Sequence, residues 1–191
     1  RGGYIKRTPL SAFSKIRANG LIAIGLEDGD ALTWVRLAES GDSVLIGSKN
    51  GMTIHFRLND SELRPLGRAA RGVRSMNLKS GDSLVSMDVL STELADHVDK
   101  SEGQDELEDE SSVSDEGPWV LVASASGLGK RVPVTQFRLQ KRAGMGLRAI
   151  KFRKDGDELV GLRVLGKGEE LLLVSERGVI VRTSADKISQ Q

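Results

Sequence analysis

Arginine and lysine cluster in recurring segments of this chain, each ahead of a glycine-led apolar run, and such side chains bind phosphate. One set is Lys6, Arg7, Lys15 and Arg17. A second is Arg57, Arg64, Arg68, Arg71 and Arg74, and a third is Lys130, Arg131, Arg138, Lys141, Arg142 and Arg148. Each set lies between a basic strand-like segment and the next glycine-led apolar segment. Bases that recur in register fall at equivalent places on successive structural units. A periodic basic rim of that kind neutralises successive phosphates of a duplex and bends it. Smooth bending of a 20–30 bp site costs roughly 1–6 kcal/mol, which several phosphate contacts with counterion release offset at low salt. Gly67, Gly72, Gly144 and Gly146 stand beside these bases, where a bare backbone lets N–H groups approach phosphates.

Other chemistries find less support. The absence of cysteine excludes disulfides, thiolate metal sites and cysteine nucleophiles. His55 and His97 are far apart and give no metal or triad spacing; His55 replaces one of the repeated bases and reads as a surface residue. Gly29-Asp30, Gly81-Asp82 and Gly156-Asp157 carry isolated carboxylates and read as turns rather than Ca²⁺ loops. Gly127-Leu128-Gly129 lacks the strand-to-helix context of a nucleotide fingerprint. Tyr4, the only tyrosine, sits in a strand and reads as a core or rim residue, not a nucleophile. Trp34 and Trp119 sit in apolar runs and are expected in the core. No catalytic residue, metal ligand or cofactor is expected within the chain.

The charge is divided by position. The 191 residues hold 28 Lys plus Arg and 27 Asp plus Glu, a net +1 that argues at face value against a polyanion partner. Residues 91–117 carry eleven acids and one base, a local charge of −10, which leaves +11 on the other 164 residues. The acidic strip is rich in serine and poor in apolar residues, so it reads as a disordered loop. It also reads as a mimic of DNA charge that competes for the basic rim. No apolar run approaches the roughly 18–20 residues of a membrane span, and the N-terminus lacks a signal pattern. The chain begins at Arg1 without Met and stops just after an apolar segment, which reads as part of a longer protein.

The elements that must position the bases repeat. A glycine, an alternating run and bases appear at Gly3–Leu10 and Gly127–Val134, and more weakly at Gly51–Phe56 and Gly178–Thr183. A glycine-led apolar run ending in a Gly-Asp turn appears at 20–30, 72–82 and 146–157. Gly29 to Gly81 is 52 residues and Gly81 to Gly156 is 75, so the excess of 23 matches the acidic strip in size. The period is near 50. In the first repeat Tyr4–Thr8, Leu21–Leu26, Ala31–Leu37 and Ser43–Ser48 read as strands, separated by Asp-Gly, Gly-Asp and Asn-Gly turns. No stretch shows a sustained helical period. About four strands per unit at this spacing is the pattern of an all-β, propeller-like pinwheel. Residues 1–90 are its first two repeats, 91–117 an acidic disordered insertion, and 118–191 the third repeat and the start of a fourth.

Several long segments then carry a resemblance. They are Gly3–Phe13, Gly20–Asp30, Leu66–Val73 and Gly129–Phe137. In order and spacing they resemble the C-terminal domain of the gyrase A protein of DNA gyrase, a type IIA topoisomerase. Pro118–Leu121 and Gln140–Leu147 look most like the cyanobacterial or plastid type. The resemblance implies a six-bladed β-pinwheel whose basic rim wraps double-stranded DNA, with about three and a half repeats present here. It implies a partner, gyrase B, in a heterotetramer, ATP and Mg²⁺ used elsewhere in that holoenzyme, negative supercoiling, no membrane, and a bacterial cytoplasmic or plastid location. The family's hallmark box is Gln-Arg-Arg-Gly-Gly-Lys-Gly; Gln140-Lys141-Arg142-Ala143-Gly144-Met145-Gly146 resembles a degenerate repeat of it. A topoisomerase IV-type domain and a propeller used as a protein-interaction scaffold are the alternatives.

Overall fold

The computed structural model describes residues 2–101 and 117–190. Its unit is a tight antiparallel hairpin. β2 (Ser43–Ser48) pairs with β3 (Met52–Arg57), β6 (Trp119–Ser124) with β7 (Gly129–Pro133), and β10 (Glu170–Val174) with β11 (Ile180–Ser184). Each turn closes on a glycine with positive φ, as at Gly51 (79°) and Gly127 (84°), a conformation that side-chain-bearing residues resist.

A third strand joins the outer side of two hairpins. β5 (Leu84–Leu90) pairs with β2, and β9 (Leu159–Leu165) with β6. Both pairings slip at the same repeat position, between Gly47 and Ser48 and between Ala123 and Ser124. The Gly-Asp turn before each outer strand then ties down the hairpin tip. Asp82 accepts from Ser48 Oγ and Asn50 N, and Asp157 from Ser126 Oγ and N. Those donors, the Ser126 hydroxyl foremost, hold the Asp157 carboxyl down at about 2.

The fourth strand comes from the next repeat. β4 (Val73–Arg74) pairs with β1 (Tyr4–Ile5), and β8 (Leu147–Arg148) pairs with β3, closing the sheet β5-β2-β3-β8. A blade is therefore not a contiguous run of sequence. The crossing is close: a Cβ on Gly72 would strike Ile5 O, and one on Gly146 would strike Thr53 O. This exchange locks neighbouring repeats together through main-chain hydrogen bonds.

Apolar residues fill the gaps between sheets. β2 is buried on both faces, so Val44 and Ile46 join one core with Ile54, Phe56, Leu63 and Met76. Leu45 joins the next core with Val120, Val122, Val132, Phe137, Leu159 and Leu162. A smaller cluster of Leu121, Leu165 and Ala185 continues the series. Each large apolar side chain among these contributes about 1.5–3 kcal/mol on full burial. Trp119 is buried, and Trp34 is half-buried against the first core, as expected for both.

Three expectations need correction. Leu21–Leu26 and Ala31–Leu37 are not in ladders. Their repeat equivalents pair with a preceding hairpin or its first strand, and none precedes them among the described residues. Ile22, Val35 and Leu37 are accordingly 70%, 71% and 77% exposed. The acidic strip is not a loop throughout. Residues Thr92–Ser101 form a helix, α2, because Leu94, Ala95 and Val98 share one face and the last two are fully buried. Ser91 Oγ accepts from Leu94 N, and Asp42 holds Thr92 N and Oγ1, fixing the helix start. Disorder expected over 102–116 lies outside the described residues. His55 is 1% exposed, not a surface residue: β3 is buried on both faces, and His55 lies on the face opposite Ile54 and Phe56, against Phe137 of the next repeat.

Candidate nucleic-acid interface

The residue four places after each hairpin glycine is Arg7, His55, Arg131 or Arg182. Three of these reach into the segment that follows the next repeat's hairpin. Arg7 donates to Leu58 O at 2.6 Å and pairs with Asp60 at the start of α1 (Asp60–Leu63). His55 Nδ1 lies 2.6 Å from Phe137 O, while Nε2 meets Ser43 Oγ at 2.7 Å. Arg131 Nε donates to Ile188 O at 2.7 Å, Nη2 donates to Asp186 O at 3.3 Å, and the guanidinium stacks 4.4 Å from the Trp119 ring centre. These side chains form seams between repeats. His55 does the same task without charge: burial pushes its pKa down, so it stays neutral.

Other expected rim bases are also tied inward. Lys6 Nζ donates to the carbonyls of Ala23 (2.5 Å), Gly67 (3.2 Å) and Arg68, and burial lowers its pKa. Arg71 stacks 3.7 Å over the Tyr4 ring and pairs with Glu27, so Tyr4 has a rim role. Arg142 donates to Glu62 O at 2.7 Å and Arg74 O at 2.6 Å. Arg57 is bound by Asp96 and Asp99 of α2.

The remaining expected bases face outward. Lys15, Arg17, Arg64, Arg74, Arg138, Lys141 and Arg148 are exposed; Arg68 and Lys130 are half-buried. No ion pair to any of these nine occurs among the described residues. Arg17 and Arg68 border an open groove of about 630 Å³ with Gly20, Leu21, Ile22 and Gly67. In the box-like loop, Ala143, at a glycine position of the box, has φ 65°, the left-handed region that favours glycine. Met145, at the lysine position, is 60% exposed. Sequence reasoning missed Lys79, Lys151, Arg153 and Lys154, all exposed. Part of the signal was available, because Lys79 and Arg153 both stand seven residues after a repeat glycine, Gly72 and Gly146, whereas Lys151 and Lys154 have no basic counterpart in the second repeat. Among the described residues no three His, Asp or Glu side chains converge as metal donors, and no helix is long and apolar enough to cross a membrane.

Strand-exchanged blades of up to four strands with an outward row of bases define a propeller-like repeat fold. The family model for the DNA gyrase C-terminal domain, a β-propeller, matches residues 1–39, 42–91, 118–165 and 169–191. The chain belongs to that family. The family model's gap at 92–117 falls on the acidic strip. The gyrase A protein of Synechocystis is 52% identical over 99% of the chain and 23% of its own length. The chloroplastic/mitochondrial gyrase A protein of Nicotiana benthamiana is 38% identical over 99% of the chain and 20% of its own length. The chain thus spans about a fifth to a quarter of these relatives. A DNA gyrase A C-terminal domain structure superposes with TM-score 0.75 at 29% identity, covering all of this chain and 55% of that one. A topoisomerase IV C-terminal domain gives 0.79 at 23% identity, over all of this chain and 52% of that one, a likeness of fold alone.

Proposed function

We propose that this chain binds duplex DNA without reading its sequence and bends it along the outward bases, as the wrapping region of a gyrase A protein. The observation that carries this reading is the recurrence of unpaired bases at equivalent places on interlocked repeats. Strand exchange and the Arg7, His55 and Arg131 seams support it by making the scaffold stiff. A stiff surface holds a bent duplex where a flexible one would follow the straight DNA. In this reading the wrapped segment is presented to a cleavage core in a heterotetramer with gyrase B. Strand passage driven by ATP, with Mg²⁺, then introduces negative supercoils; both cofactors act outside this chain. The relatives' sources favour a bacterial cytoplasm or a plastid.

The test is duplex affinity against salt in the intact protein. Each phosphate contact contributes about 0.9 to the slope of log affinity against log salt. A contact set of six or more gives a slope steeper than about −5. A flat dependence would instead favour the protein-interaction scaffold.

A further inference from the structure

The extended segment after each repeat glycine carries a row of outward positions, and the charge on that row changes along the molecule. Hydrogen bonds fix the register. Ser75 N donates to Gly3 O as Ala149 N does to Gly51 O, and Gly25 N donates to Ala70 O as Asn77 N does to Gly144 O. Ile22, Gly25 and Glu27 therefore correspond to Arg74, Asn77 and Lys79, and these to Arg148, Lys151 and Arg153. The row's charge runs −1, +2, +3 along the three repeats, and Lys154, an extra residue in the third, adds one more.

The third row is firmly built, like the second, where Ser75 and Met76 are buried and Leu78 packs on the core. Ala149 is buried, and Ile150 and Phe152 pack on the core between the second and third repeats. The alternation drives Lys151 and Arg153 outward, about 6.6 Å apart along extended chain. Arg148, Lys151, Arg153 and Lys154 are exposed, and none is in an ion pair among the described residues. At the first repeat the opposite holds: Glu27 pairs with Arg71 and cancels a base of the neighbouring loop.

We propose that this gradient gives the interface a polarity: residues 148–154 are the anchoring grip on duplex phosphates, and residues 20–28 are a weak, releasable end. The proposal rests on the DNA-binding reading above and assigns where that binding is strongest. The test compares two charge-matched variants of the intact protein. One is Lys151→Ala/Arg153→Ala/Lys154→Ala; the other is Lys15→Ala/Arg17→Ala/Arg36→Ala, three exposed bases of the first repeat. Duplex affinity is measured across salt concentrations. The third-repeat variant is expected to lose about 2.7 from the salt slope and at least about tenfold in affinity near 0.1 M salt. The first-repeat variant is expected to lose less than about threefold. Equal losses, or a larger loss in the first repeat, overturn the polarity while leaving duplex binding intact. A wild-type protein that does not bind duplex overturns the underlying reading instead. Lys151→Arg/Lys154→Arg keeps the charge and is expected to bind like wild type. Lost binding there would show that side-chain shape, not charge, governs the segment, and would overturn the proposal too.

Discussion

Arg131 separates a seam residue from a DNA contact, although its sequence position marks it as part of the rim. Its side chain is 9% exposed, it donates to two carbonyls of the 186–188 segment, and it stacks on Trp119. Hydrogen bonds from a charged donor are worth about 1.5–3 kcal/mol each, and a desolvated cation–π contact about 0.5–2. The Asp186 carboxylate at 3.7 Å is half-exposed and adds at most about 1 kcal/mol. These contributions overlap, and water re-enters part of the gap, so Arg131→Ala is expected to cost about 3 kcal/mol locally. That equals roughly a 100-fold loss of amide-exchange protection at β7 and the 185–188 segment. Duplex affinity and its salt slope should stay near wild type. Lys141→Ala, at an exposed unpaired base, should do the reverse: stability within about 0.5 kcal/mol and a slope reduced by about 0.9. If Arg131→Ala reduced the salt slope while leaving exchange unchanged, the seam assignment would be wrong.

Other perturbations test the loop, the histidine and the acidic strip. Ala143→Gly should stabilise by about 0.5–1 kcal/mol, because relief of left-handed strain of about 1–2 kcal/mol exceeds the glycine entropy cost of about 0.5–1; thermal or denaturant unfolding checks it. Met145→Lys should steepen the salt slope of duplex binding by about 0.9, and an unchanged slope would mean the loop does not meet phosphate. His55 has a folded-state pKa below its ordinary 6.5, so its contribution is full above that value and is lost as pH falls through and below it. The protection of Gln140 N, which donates to His55 O, relative to its intrinsic exchange rate should therefore fall below about pH 6.5, and His55→Gln should remove that dependence. Deleting 102–116 while keeping α2 should raise duplex affinity at low salt if the strip competes with DNA, and no gain would end that idea.

The sequence made the repeat period, the all-β class and the insertion point legible, because glycine turns and Gly-Asp pairs are local chemistry. Strand exchange was hidden. A two-residue strand such as Leu147–Arg148 carries no period of its own, and its partner lies over ninety residues back at Met52–Thr53. The sequence pattern therefore suggests contiguous blades. The helix at 92–101 was hidden by composition: charge and serine dominate the strip, and its apolar face is only Leu94, Ala95 and Val98. The burial of His55 is hidden because residue type suggests a surface, whereas its alternation with Ile54 and Phe56 on a strand buried on both faces turns it toward the next repeat.

That last point explains how the bases divide. Neighbours on a strand point to opposite faces, so two adjacent bases cannot both join one rim. On β7, Lys130 is half-buried and without an ion pair, whereas Arg131 is buried in the seam. On the first repeat even the partner is held back, since Lys6 is bound to three carbonyls. The strand bases thus chiefly join repeat to repeat. Exposed bases without an ion pair among the described residues lie on the connecting segments, at Arg138, Lys141 and Lys151, and on the two-residue strand β8, at Arg148; in the wrapping reading proposed above they are the ones that meet phosphate. In the proposed wrapping reading the two roles depend on each other. Bending 20–30 bp costs roughly 1–6 kcal/mol, and the bound duplex pushes back on the surface that bends it. In that reading the Arg7, His55 and Arg131 seams and the exchanged strands resist that push, so the outer bases hold a curved path rather than yield to a straight one.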